Sequence, residues 1–208
     1  MQGSANTGIL RFAQNDEPHP TATVKMRPTM KMLLAVLLAA VPSAVLAQAK
    51  TTYVLENSTL SYHMVHPIHT VDGVSHAAKG KGVCELGQCE FLIAAPVKSF
   101  DSGDSNRDLH MLEVTRGAQF PLVVVKTRIP EQATKAPTVN ADLTVQFAGQ
   151  TASYKNVPFT RTESGDEIHI HGVIPATCSD FKIDRPEFLT VPIKNEIPVT
   201  VDMTWKKM

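Results

Sequence analysis

Beyond about residue 50, apolar and polar residues alternate with a period of two, the signature of half-buried strands. Val139, Ala141, Leu143, Val145 and Phe147 alternate with Asn140, Asp142, Thr144 and Gln146, so one face of this segment is dry. The C-terminal segment repeats the pattern, with Ile197, Val199, Val201, Met203 and Trp205 on one side and Thr200, Asp202, Thr204 and Lys206 on the other. Segments 122–129, 153–161 and 168–174 also read as strands, separated by Pro130, Ala148-Gly149-Gln150 and Glu163-Ser164-Gly165-Asp166. Those separators are turn signals at hairpin spacing. Upstream, 53–55, 60–66, 73–84 and 89–99 add up to four more strands. About eight strands joined by short links predict an all-β antiparallel meander that can close into a barrel.

An eight-stranded barrel is either filled by its own side chains or wide enough for one small ligand. The inward set of one predicted strand is Phe91, Ile93, Ala95 and Val97; that of another includes Leu143, Val145 and Phe147. The small Ala95 suits a cavity wall, yet the same alternation builds a solid core, and periodicity does not separate the two. One stretch interrupts the strands. Asp or Ser near 101–105 followed by Leu109, Met111 and Leu112 predicts a short capped helix over 106–114, placed as a lid on one barrel end. At such a place Arg107, Asp108 and His110 either brace the lid from within or offer a polar site to a ligand head group.

Composition changes this picture at the N-terminus. Met30 to Ala47 carries one Lys, an unbroken apolar stretch from Met32 to Val41, a Pro42-Ser43 break and Val45-Leu46-Ala47, which reads as a secretory signal peptide over 30–47. Residues 1–29 show no apolar periodicity and read as an extension ahead of a true start at Met30, leaving 48–208 as the barrel domain. No apolar stretch reaches the roughly 20 residues of a membrane-spanning helix. The expected location is the periplasm or the outside of the cell. Twenty basic residues balance twenty acidic ones, and no basic cluster supplies the footprint of a nucleic-acid binder.

Export to an oxidising compartment permits disulfides. Cys84 and Cys89 flank Glu85-Leu86-Gly87-Gln88, a connection that suits a hairpin and could place the thiols opposite one another. Cys178 is then left over as a small buried residue, unless it pairs with one of those two. Other chemistries fit less well. Gly103-Asp104-Ser105 with Asp166 and His169 imitates an esterase of the GDS type, but the helix-poor chain offers no crossovers for the α/β fold of such enzymes. His63, His66 and His69 fall on both faces of one strand, and His169 with His171 lacks a third ligand, so no metal site is expected. The acidic run from Asp104 departs from a calcium loop at Leu109 and Thr115, and no CxxCH is present for haem.

Asn106-Arg107-Asp108-Leu109-His110-Met111, then Phe120-Pro121 before an apolar strand, then Ala141 to Val145 with Ala148-Gly149-Gln150-Thr151, together resemble the YceI-like family. Ser58 to Ser61, His66, Val71 to Val74 and Ser179 to Ile183 extend the resemblance over roughly residues 52–206. It implies an extended lipocalin-like eight-stranded antiparallel barrel with a short helical lid. The implied ligand is a long-chain isoprenoid or quinone-like amphipathic lipid, held without catalysis and without a cofactor. It also makes Arg107 and His110, oriented by Asp108, the candidates for the mouth, with Phe91, Ile93, Ala95, Leu143, Val145 and Phe147 along the chain. A ligand-free interaction module of the envelope is the competing reading, and a homodimer stays open.

Overall fold

A computed structural model describes residues 50–188 and 190–208. The extension and export signal read at 1–29 and 30–47 lie outside the described residues. The strands are β1 (Thr51–His66), β2 (His69–Ser75), β3 (Lys79–Glu85), β4 (Gln88–Pro96), β5 (Leu122–Pro130), β6 (Thr138–Phe147), β7 (Gln150–Ser164), β8 (Glu167–Ile174), β9 (Glu187–Phe188), β10 (Val191–Pro192) and β11 (Val199–Lys207), with helix α1 (Ser105–Val114) between β4 and β5. The antiparallel order β11-β8-β7-β6-β5-β4-β3-β1 returns on itself, because β1 also pairs with β11. The expected closed eight-stranded barrel is therefore present.

Two predicted boundaries change for a physical reason. Segments 53–55 and 60–66 are one long strand, since a bulge between Leu55 and Asn57 absorbs the break in alternation while pairing with β11 continues from Tyr53 to Tyr62. Segment 73–84 instead divides into β2 and β3, which take successive stretches of the same β1 edge, β3 at Thr51–Val54 and β2 at Leu60–His66. Ser75, fully buried at the break, accepts a bond from Ala77 N. The β3–β4 and β6–β7 hairpins close through Leu86-Gly87 and Ala148-Gly149, each pair at positive φ, the conformation that matches the twist of the strands. At the first of these turns Cys84 stands directly opposite Cys89 and the two form a disulfide, while Cys178 is free and buried.

Glycines inside the strands seat aromatic rings. Tyr62 faces Gly73, Phe91 faces Gly82 and Phe159 faces Gly172 in the strand register. A Cβ at any of these glycines would fall inside the opposing ring. Gly80 does the same for Trp205, whose ring atom lies 2.7 Å from the position of such a Cβ. The rings thus lie flat on the wall over bare backbone.

The barrel has two unlike ends. One carries α1, the β6–β7 turn and the long β8–β11 connection with β9 and β10; the other carries the disulfide hairpin, the β5–β6 connection and the β7–β8 turn. Gly82→Val and Gly172→Val, which force a ring off the wall, should each cost about 1–3 kcal/mol in urea unfolding. An unchanged midpoint would contradict this packing. Replacing both Cys84 and Cys89 by Ser should cost about 2 kcal/mol by the entropy of so small a loop, read the same way with and without reductant.

Candidate functional site

The inward faces of the strands enclose a hollow of about 490 Å³, within the roughly 300–1,000 Å³ range of small-molecule sites. The barrel is therefore not filled by its own side chains. Phe91, Ile93 and Ala95 of β4 and Leu143, Val145 and Phe147 of β6 all line it, as the alternation predicted. Opposite them stand Ile168 and Ile170 of β8 and Val199, Val201, Met203 and Trp205 of β11. Aromatic clusters line this tunnel toward both ends. Phe91 lies edge-on to Trp205 at 5.3 Å and 5.9 Å from Tyr53 near the disulfide, and Phe147 meets Phe181 at 5.3 Å near α1. The ionisable lysine, arginine, histidine and glutamate side chains in the wall are Arg107, His110, Lys135, Arg161, Glu163 and Lys207, all at the two ends.

At the helix end, Asp104 caps α1 by accepting from Asn106 N and Arg107 N, which places the helix one residue earlier than expected. None of its residues is buried, so α1 is a cover held by its flanks. Asp101 pairs with Val74 of β2, and the Arg116 guanidinium donates to the Ala148 carbonyl beyond the helix. Arg107 lines the tunnel but donates Nε to Ser102 Oγ at 2.9 Å and Nη2 to Ser102 O at 3.0 Å. Asp108 is not part of the wall: it accepts from Ser102 Oγ at 2.5 Å and Ser102 N at 3.1 Å. Ser102 thus knots the two charged residues together. His110 lines the tunnel mouth, exposed, with Nδ1 3.4 Å from Glu113.

Other histidines lie outside the tunnel wall in hydrogen-bonded pairs. His63 meets Asp72 and His171 meets Asp202, each at 2.7 Å, and His169 Nδ1 lies 3.0 Å from Thr204 Oγ1. Among the described residues no three His, Cys, Asp or Glu side chains gather as metal ligands. Ser105 opens α1 at one end of the barrel, whereas His169 sits near the start of β8 toward the other, so the imitation of an esterase is not assembled in space. No helix among the described residues is long and apolar enough to cross a membrane.

No family model matches the sequence, and no curated protein matches it. Solved structures do match the fold. The crystal structure of BcnA from Burkholderia cenocepacia superposes with a TM-score of 0.61 at 16% identity, covering 71% of this chain and 95% of that one. A polyisoprenoid binding domain from Saccharophagus degradans, described as implicated in plant cell wall breakdown, superposes with a TM-score of 0.61 at 13% identity, covering 74% and 97%. The chain shares the barrel fold of these two proteins.

In this barrel the strand periodicity located most of the wall but not its polar positions. Thr127 occupies an inward position of β5 between Val125 and Ile129, and Arg161 follows Val157 and Phe159 on β7. Both interrupt an apolar phase, which is the signal that could have found them. Three buried side-chain atoms have no hydrogen-bond partner among the described residues: Thr127 Oγ1, Arg161 Nε and Ser58 Oγ. Leaving such a group unpaired costs about 1–3 kcal/mol. Cys178 also lines the tunnel, and burial pushes its thiol up.

Tyr53, Tyr62 and Tyr154, the three tyrosines of the chain, all line the tunnel. Burial is the main cause that raises each phenol above its ordinary 10.0, followed by Glu131 for Tyr53, Asp108 for Tyr62 and the hydrogen bond to Asp180 for Tyr154. The folded state therefore holds these protons more tightly than the unfolded chain. Their contribution to stability is fully present below pH 10 and is lost as pH rises through the raised values. Phenolate absorbance in the native protein should lag that of the urea-unfolded chain above pH 10. Coincident titration curves would contradict the burial of the three rings.

Proposed function

We propose that the protein is an exported carrier that sequesters one long-chain amphipathic lipid, of isoprenoid or quinone-like type, in the tunnel and performs no chemistry on it. The observation that carries this reading is the charge pattern of the hollow, apolar along its length with charged side chains confined to its ends. A flexible apolar chain gains roughly 0.8 kcal/mol per methylene transferred from water, so such a wall binds it without specific contacts. A polar head then remains at an end, where donors are available. The polyisoprenoid binding recorded for the structural neighbour from Saccharophagus degradans supports the same class of ligand. Export to the periplasm or beyond rests on the apolar stretch 32–41 and its flanks, and the Cys84–Cys89 disulfide is in keeping with an oxidising compartment.

Mass spectrometry of organic extracts from natively purified protein should find an apolar compound at close to one per chain. Repeatedly empty extracts would favour the ligand-free interaction module instead. Ala95 is buried on the tunnel wall opposite Val123. Ala95→Trp should abolish lipid uptake while lowering stability by about 1–3 kcal/mol, the usual cost of overpacking. Undiminished uptake by a folded Ala95→Trp variant would count against the tunnel as the binding site.

A further inference from the structure

The strands also carry chemistry on the outside of the barrel. His169 and His171 alternate with the tunnel-lining Ile168 and Ile170 along β8, so both imidazoles project from the outer wall, where both are exposed. A strand rises about 3.3 Å per residue, which sets their Cα atoms roughly 7 Å apart on one face. Nothing in the sequence orients such a pair, but the neighbouring strand does. Asp202 and Thr204 of β11 stand opposite His171 and His169 in the register. His171 Nδ1 lies 2.7 Å from Asp202 Oδ1, and His169 Nδ1 lies 3.0 Å from Thr204 Oγ1. Both rings are therefore anchored through the same nitrogen. All four residues border a polar hollow of about 200 Å³ in the outer wall. The bulge of β1 lies beside it, with Asn57 opposite Thr204.

We infer that His169 and His171 form a chelating site for a divalent transition-metal ion, copper(II) foremost, on the outer wall and separate from the tunnel. An ionised carboxylate only accepts, so the proton of a neutral His171 ring sits on Nδ1 beside Asp202 and leaves a lone pair on Nε2. Thr204 Oγ1, as acceptor, does the same for His169. A carboxylate that fixes the far nitrogen of a histidine orients the ring and raises its basicity toward a metal. His169 Nε2 has Glu163 four strand positions behind and Glu167 Oε2 3.7 Å away, a contact too long for a hydrogen bond and exposed to water, so that nitrogen stays available. Metal–imidazole bonds are about 2.0 Å long, within reach of two side chains at this spacing. Two nitrogens leave the remaining positions to water. A tetragonal set of imidazole and oxygen ligands suits copper(II), which also stands highest in the order of divalent affinities. His63 and His76 belong to other segments, where they meet Asp72 and Thr59.

The test titrates the whole protein, free of affinity tags, with copper(II) and with zinc by calorimetry, and reads the copper ligands by electron paramagnetic resonance. Copper should bind at one site per chain, with two equatorial nitrogens and more tightly than zinc. His169→Gln and His171→Gln should each remove one nitrogen and weaken binding by more than about ten-fold, since losing a ligand costs more than losing its support. His63→Gln and His76→Gln should change neither reading. All four positions are exposed, so circular dichroism should show each variant folded. Absence of copper binding, a two-nitrogen signal that survives His169→Gln or His171→Gln, or its loss on replacing His63 or His76 overturns the site. Zinc binding tighter than copper overturns the choice of ion. Asp202→Ala should weaken copper by about ten-fold while keeping two nitrogens, and Asp202→Asn, which still offers an acceptor, should restore most of that loss. Equal losses in the two variants overturn the positioning role of Asp202.

Discussion

Pairing of β1 on both of its edges is the constraint from which the rest of this molecule follows. One edge holds β11 from Tyr53 to Tyr62, and the other holds β3 and then β2. Each backbone group committed to these ladders would otherwise be an unpaired donor or acceptor at the border of an open sheet. Closing the ring satisfies them and, at eight strands, gives a lumen that side chains can either fill or leave open for one ligand; here it stays hollow. The glycines of β2, β3 and β8 then let Tyr62, Phe91, Trp205 and Phe159 lie against the wall, where larger partners would drive the rings into the hollow and fill it.

An apolar hollow of this size sorts charge by position. A buried ion without a partner is expensive, so the cations and carboxylates that touch the tunnel stand at its ends, where water or a counter-charge can reach them. The two ends resolve their charges differently. At the helix end Arg107 and Asp108 are both satisfied by Ser102, which turns the pair into a brace for a helix that buries none of its own residues. At the disulfide end the Arg161–Glu163 pair is neutral and leaves Arg161 Nε buried without an acceptor among the described residues.

Much of the fold was legible in the chain. Alternation located β4 to β8 and β11 to within a few residues, Gly87 and Gly149 marked the hairpins, and the Asp and Ser residues at 101–105 marked the start of α1 to within one residue. Two features were illegible for definite reasons. The bulge at Leu55–Asn57 reads in sequence as a gap between strands, because only the partner β11 shows that pairing continues. Gly73 and Gly82 read as weak strand positions, although each is required by an aromatic ring on the neighbouring strand. The family signature drew attention to Arg107, Asp108 and His110, whereas Arg161 and Thr127 had no motif and went unread, marked only by being polar residues in a dry phase.

By itself the sequence determined which residues face inward, since a period of two admits only two faces, and it determined where the chain turns and where its cysteines could meet. It did not determine whether the inward faces touch. That depends on how many strands close the ring and how rings and glycines fit across it, quantities set between segments far apart in the chain. The same holds for Arg161: its pattern position points it inward, but only the folded barrel decides that Glu163 takes part of its guanidinium and that Nε is buried with no acceptor among the described residues.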